Sequence, residues 1–147
     1  GSPELKYFSF ESGVSGRTKR VFLSITYERF WRHYQVQPSR HFYELIRQNS
    51  ACHLYFDLEF DARLNPSRDG GAMVATVVRL AIEEIEARFG LRVDDQTDVV
   101  ELDSSTDLKF SRHIVVIIPG RALTSNAHAG CLARAVVSRA EAQAGEA

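Results

Sequence analysis

The sequence predicts an α+β fold: a small N-terminal αβ module followed by an incomplete split βαβ sheet with its helices on one face. Three observations lead there. Residues 54–60, Leu-Tyr-Phe-Asp-Leu-Glu-Phe, alternate with the period of 2 that a half-exposed strand requires. Val74, Val77, Val78, Ala81, Ile82, Ile85 and Phe89 recur at intervals of three and four, the mark of a helix with one buried face. Beyond them, 99–103 and 109–118 read as strands joined by a turn-rich link, and a last helix runs from Thr124 or Ser125 to about Arg139.

The elements follow in order. Arg20 to Ile25 alternate and are rich in β-formers, and Thr26 suits the N-cap of a short helix, Tyr27 to Tyr34. Phe30, Trp31 and Tyr34 on that helix are read as core, and His33 as facing solvent. A second strand is predicted at 42–46, and after a polar break at 47–50 comes the carboxylate strand, Cys52 to Phe60. Asn65-Pro66 and Asp69-Gly70-Gly71 mark a loop, the long helix starts at Met73, and Gly90 fits its C-cap. The modules are read as 1–50 and 51–147. His41, His53, His128 and the small apolar Cys52 are taken as structural.

Composition narrows the class. A chain of 147 residues, 44% hydrophobic and 25% charged, fits one globular domain around a single core. A net charge of −1 gives no field for indiscriminate polyanion binding, so such contacts need local clusters: Arg17, Lys19 and Arg20, or Lys109 and Arg112. Two cysteines without metal-ligand spacing give no structural zinc or disulfide framework, and a reducing compartment is inferred. No membrane segment or signal peptide is written in the chain. It begins Gly1-Ser2-Pro3 rather than with Met and ends in an Ala, Glu and Gly tail from Arg139, so it is read as a segment of a longer protein.

From Cys52 onward, strand, helix, strand, strand, helix is the order of ferredoxin-like and RNA-recognition-motif sheets, lacking the last strand. There the third strand lies between the first two and antiparallel to both. Asp57 and Glu59, on one face of the first strand and about 6.6 Å apart along it, would then meet Ser111 and His113 of the third. Two carboxylates so placed suit one or two hard divalent cations, and Ser111, His113 and Lys109 supply donors for a triphosphate, whereas Arg112 falls on the other face. Asp103, Asp107, Glu141 and Glu146 make no convincing third carboxylate, and that ligand is placed beyond the end of the chain. The bland alternative is a solvated strand face with a capped turn at Ser104-Ser105-Thr106-Asp107.

The motifs then carry a resemblance. Tyr-Phe-Asp-Leu-Glu-Phe at 55–60 and Leu-Asp-Ser-Ser-Thr-Asp-Leu-Lys-Phe-Ser-Arg-His at 102–113 closely resemble the eukaryotic primase-polymerases of the archaeo-eukaryotic primase superfamily. Thr26 to Trp31, Phe42-Tyr43-Glu44, and Asn65-Pro66 to Met73-Val74 extend the likeness over about 20–119. The resemblance implies a nucleotidyltransferase, a DNA-directed primase and DNA polymerase that joins NTP or dNTP to a 3′-hydroxyl with Mg²⁺ or Mn²⁺. Damage tolerance, translesion synthesis and repriming of stalled forks follow from it, with DNA template-primer as partner and the nucleus and mitochondrion as location. It makes Asp57 and Glu59 metal ligands, sets Lys109, Ser111 and His113 on the triphosphate, and places Arg20 near template and nucleotide. The family's third aspartate, its C-terminal Zn²⁺ domain and the acidic tail that recruits single-strand DNA-binding protein have no counterpart in the sequence. The segment alone is therefore expected to be weak or inactive. Other classes keep the same carboxylates or sheet: a metal-dependent nuclease, a non-catalytic RNA-recognition-type binding module, or a purely structural domain.

Overall fold

The computed structural model describes residues 4–14, 17–38 and 40–145. Gly1-Ser2-Pro3 and Glu146 lie outside them. The chain divides into two units, 1–47 and 48–147, each with its own sheet and buried cluster rather than the single core expected.

In the first unit β1 (Leu5–Val14) and β2 (Arg17–Thr26) form an antiparallel pair with Leu5 opposite Thr26. The short strand β3 (Phe42–Glu44) lies on the other side of β1, with Phe10 opposite Phe42. Strand β1 is an addition to the sequence reading. Its Phe8 and Ser9 point to opposite faces yet are both buried, which blurs the period that would have revealed it. Thr26 caps α1 (Tyr27–Val36) as predicted, its Oγ1 accepting from the Arg29 amide at 3.4 Å.

Only part of the aromatic cluster is core. Phe30 is buried and its ring stacks on Phe8 with centroids 3.6 Å apart, while Trp31 is 47% exposed and stacks on the half-buried Tyr34. Neighbouring helical residues point about 100° apart, so a helix lying on one sheet cannot bury both.

In the second unit β4 (Leu54–Asp61) and β5 (Val99–Asp103) flank β6 (Lys109–Val116), which is antiparallel to both. This is the strand order that the split βαβ pattern predicts. Helix α2 (Gly70–Phe89) packs on β6, and α3 (Asn126–Gly145) packs on β4 and on α2. They cover the face carrying Leu54, Phe56, Ile114 and Val116, all buried together with Leu80, Ile85, Leu132 and Val136. The opposite face, with Tyr55, Asp57 and Glu59, is exposed.

Two helix boundaries differ from expectation. Helix α2 begins at Gly70, inside the expected loop, rather than at Met73, and Asp69 caps it, its Oδ1 accepting from the Ala72 amide at 2.9 Å. Gly70 is therefore the first helical residue, and it is buried so tightly against the Phe110 ring that a Cβ would collide with it. Helix α3 continues past Arg139 to Gly145, because Arg139 and Gln143 bond back to α2. Arg139 donates to Glu83 Oε2 at 2.6 Å and to Glu84 Oε2 at 3.1 Å, and Arg79 donates to Gln143 at 3.1 Å. The buried stripe of α2 also shifts, taking in Leu80 and Glu84 and leaving Phe89 39% exposed. A helix wedged between a sheet and a second helix buries two faces, which a single-stripe reading cannot show.

Candidate active site

The site is built by register. On the open face of the second sheet Asp57 lies opposite His113, Glu59 opposite Ser111, and Asp61 opposite Lys109. Because side chains alternate, all six project to that side, and antiparallel pairing brings directly opposed Cβ atoms to roughly 5 Å. Asp57, Glu59, Lys109, Ser111 and His113, five of the six residues predicted for the site, are thus brought together. Arg20 belongs to the other unit, on β2, with its guanidinium 3.8 Å from Glu11 Oε1.

Charge is shared unevenly across these pairs. Lys109 opposes Asp61, but Asp61 is already engaged: its carboxylate accepts from Arg63 Nη2 at 2.8 Å and from the Arg63 amide at 2.9 Å. Lys109 Nζ turns instead to Glu59 Oε1, at 2.5 Å, and the Ser111 hydroxyl donates to that same oxygen at 3.3 Å. The hydrogen bond and charge of Lys109, with a smaller contribution from Ser111, hold the Glu59 carboxyl below its ordinary pKa. It is therefore ionised at neutral pH. Glu59, Asp61, Arg63 and Lys109, with Phe60 and Leu108, line an open concavity of about 440 Å³.

His113 is oriented from the side. The Tyr55 ring lies nearly parallel to it, 19° apart with centroids at 6.4 Å, and Leu102 of β5 opposes it on the other flank, 53% exposed. Tyr55 and Leu102 were not among the predicted site residues. The signal available was the period of 2, which sets Tyr55 on the face of Asp57 and needs only the β5 register to add Leu102.

The link between β5 and β6 is more than a capped turn. Ser111 is held at its backbone, its amide donating to Ser105 Oγ at 3.0 Å and its carbonyl accepting from the Ser104 amide at 3.0 Å. From the covered face Arg112 donates to Glu101 Oε1 at 2.8 Å and also to Asp103 and Ser105. Arg112 thus falls on the face predicted, away from the site, and ties down the turn that positions Ser111. Asp103 opposes Arg112 and so lies on that same face, away from Asp57 and Glu59.

Chemically, Asp57 and Glu59 offer hard oxygen donors, and Mg²⁺ is commonly held by one or two carboxylates completed by water and substrate phosphate. The pair fits such an ion in kind. Among the described residues no three of His, Cys, Asp and Glu come together as a complete metal site. No helix among them is long and apolar enough to cross a membrane.

No family model matches the chain. Curated relatives do. The DNA-directed primase/polymerase protein of Danio rerio is 37% identical over 129 residues, 86% of this chain and 24% of that protein. Its namesake in Homo sapiens is 37% identical over 138 residues, 93% of this chain and 24% of its own length. That of Mus musculus is 36% identical over 126 residues, 85% and 23%. With this identity spread over nearly all of its residues, the chain belongs with the DNA-directed primase/polymerase proteins, as a stretch matching about a quarter of their length.

Proposed function

We propose that the open face of the second sheet is the metal- and triphosphate-binding part of a DNA-directed primase and polymerase that joins NTP or dNTP to a 3′-hydroxyl on a DNA template. The observation that carries this is the register of β4 against β6, which sets two exposed carboxylates and an exposed lysine beside a half-buried histidine and a buried serine on one face of the sheet. Relatives bearing the name primase/polymerase support the same class.

The roles follow from the side chains. The carboxylates of Asp57 and Glu59 would hold Mg²⁺ or Mn²⁺, which supplies a lowered pKa at the attacking hydroxyl and offsets charge on the phosphate oxygens. Lys109 provides a compact positive charge, and Ser111 a hydroxyl donor on a backbone fixed from both sides. His113, aligned by the Tyr55 ring, provides a ring N–H toward a phosphate oxygen. Positioning and charge compensation carry phosphoryl transfer, and a strand pair holds these groups with little freedom.

The test is Asp57→Ala with Glu59→Ala in the complete protein, assayed by primer extension and unprimed synthesis with Mn²⁺. Synthesis should vanish, and retained synthesis removes the metal role. The same gel without nucleotides separates a nuclease, which would still cut the DNA. The 147-residue chain alone is expected to extend a primer far more slowly than the complete protein, and equal rates would overturn that.

A further inference from the structure

The two donors assigned to a triphosphate, Lys109 Nζ and Ser111 Oγ, both end on one acceptor, Glu59 Oε1. We propose that this oxygen is an exchange point: without a divalent cation it holds both donors, and a cation arriving at Asp57 and Glu59 releases them to face phosphate. The inference rests on the reading of Asp57 and Glu59 as metal ligands.

The geometry leaves Lys109 no alternative carboxylate on its own rung. Asp61, its register partner, is occupied by Arg63 through side chain and backbone. A cation on Glu59 takes a lone pair of the shared oxygen and repels the ammonium at short range, so Lys109 must leave. It then stands at the concavity it already lines, with Arg63 on the same rim. Ser111 cannot follow it far, because its backbone is pinned by Ser104 and Ser105, so its freed hydroxyl stays beside the metal.

Two consequences follow. Lys109 competes with metal while assisting the triphosphate, and metal binding and phosphate binding favour each other, as linkage requires when one event frees the groups that the other needs. The ion pair is about half exposed at both ends, 48% for Lys109 and 45% for Glu59, so its competition is modest. Removing it should tighten metal binding by about two- to fivefold.

The experiment measures Mn²⁺ binding to the 147-residue chain at low ionic strength, by the electron paramagnetic resonance signal of free Mn²⁺. Wild type is compared with Lys109→Met, Asp57→Asn and Glu59→Gln. In parallel, the side-chain ammonium of Lys109 is followed by ¹⁵N NMR during addition of Mg²⁺. Lys109→Met is expected to bind Mn²⁺ more tightly, and the wild-type ammonium to exchange faster with water as Mg²⁺ is added. If Asp57→Asn and Glu59→Gln weaken binding but Lys109→Met does not tighten it, or the ammonium is unmoved by Mg²⁺, the exchange is overturned while the metal ligands stand. If neither carboxylate variant alters Mn²⁺ binding, or wild type binds none, the metal reading falls and the exchange with it.

Discussion

The two three-stranded sheets of this chain bury different things. Against β2-β1-β3 the buried apolar side chains among the described residues are Phe8 and, from α1, Phe30, stacked ring on ring, and large groups such as Phe22 and Trp31 stay in solvent. In β4-β6-β5 two helices cover one face of β4 and β6, and the buried residues are mostly aliphatic, Leu54, Leu80, Ile85, Ile114, Leu132 and Val136 among them. An aliphatic layer closed on one side frees the other side to carry charge. The second sheet can therefore present Asp57, Glu59 and Lys109 without losing its core, while the first has little apolar area to spare.

That contrast can be broken most sharply by separating the units. Residues 48–147 alone should show a cooperative thermal transition by circular dichroism, whereas 1–47 alone should show none, since a piece that small and that sparsely buried falls near the limit of independent folding. A cooperative transition in the shorter piece would erase the distinction.

Point substitutions sharpen it. Leu80→Ala removes a fully buried side chain from the second unit and should cost about 2–5 kcal/mol in urea unfolding. Phe22→Ala, at a ring 68% exposed, should stay within about 0.5 kcal/mol. Gly70→Ala should cost about 1–3 kcal/mol, because the added methyl must displace the Phe110 ring next to Ser111. A change of the Ser111 amide NMR shift in that variant would show the displacement reaching the site.

An effect smaller than that of Leu80→Ala belongs to the clamp between α2 and α3. Arg88, then Arg139, hold the Glu84 carboxyl below its ordinary pKa of 4.5. A group so lowered stabilises the fold fully above its unfolded pKa and loses that contribution as the pH falls through the folded value. Glu84→Gln should therefore cost about 1 kcal/mol at pH 7, with the difference from wild type shrinking as the pH drops below 4.5. Melting temperatures across that range check it, and a difference that grew in acid would reverse the assignment.

Much of the site was legible because a strand has a period of 2 and a split βαβ order has one neighbour arrangement. Asp57, Glu59, Ser111 and His113 needed only those two rules, and their pairing is the observed one. Tyr55 and Leu102 needed the third strand's register as well. The aromatic helix was harder. Phe30 and Trp31 are equally apolar neighbours, and only the direction from which the sheet approaches decides that one is buried and the other is not.

By itself, then, the sequence determined the strand order of the second unit, the cap residues Thr26 and Gly90, and the identity of the groups that face one another, since these depend on local periodicity and chain connectivity. The tertiary structure alone decided how charge is distributed among them. Lys109 bonds to Glu59 rather than to the Asp61 opposite it because Arg63 has already taken Asp61, and Ser111 is held in place because Arg112 grips its turn from the far side of the sheet. Those outcomes depend on which side chains reach each other first in space, and no spacing along the chain records that.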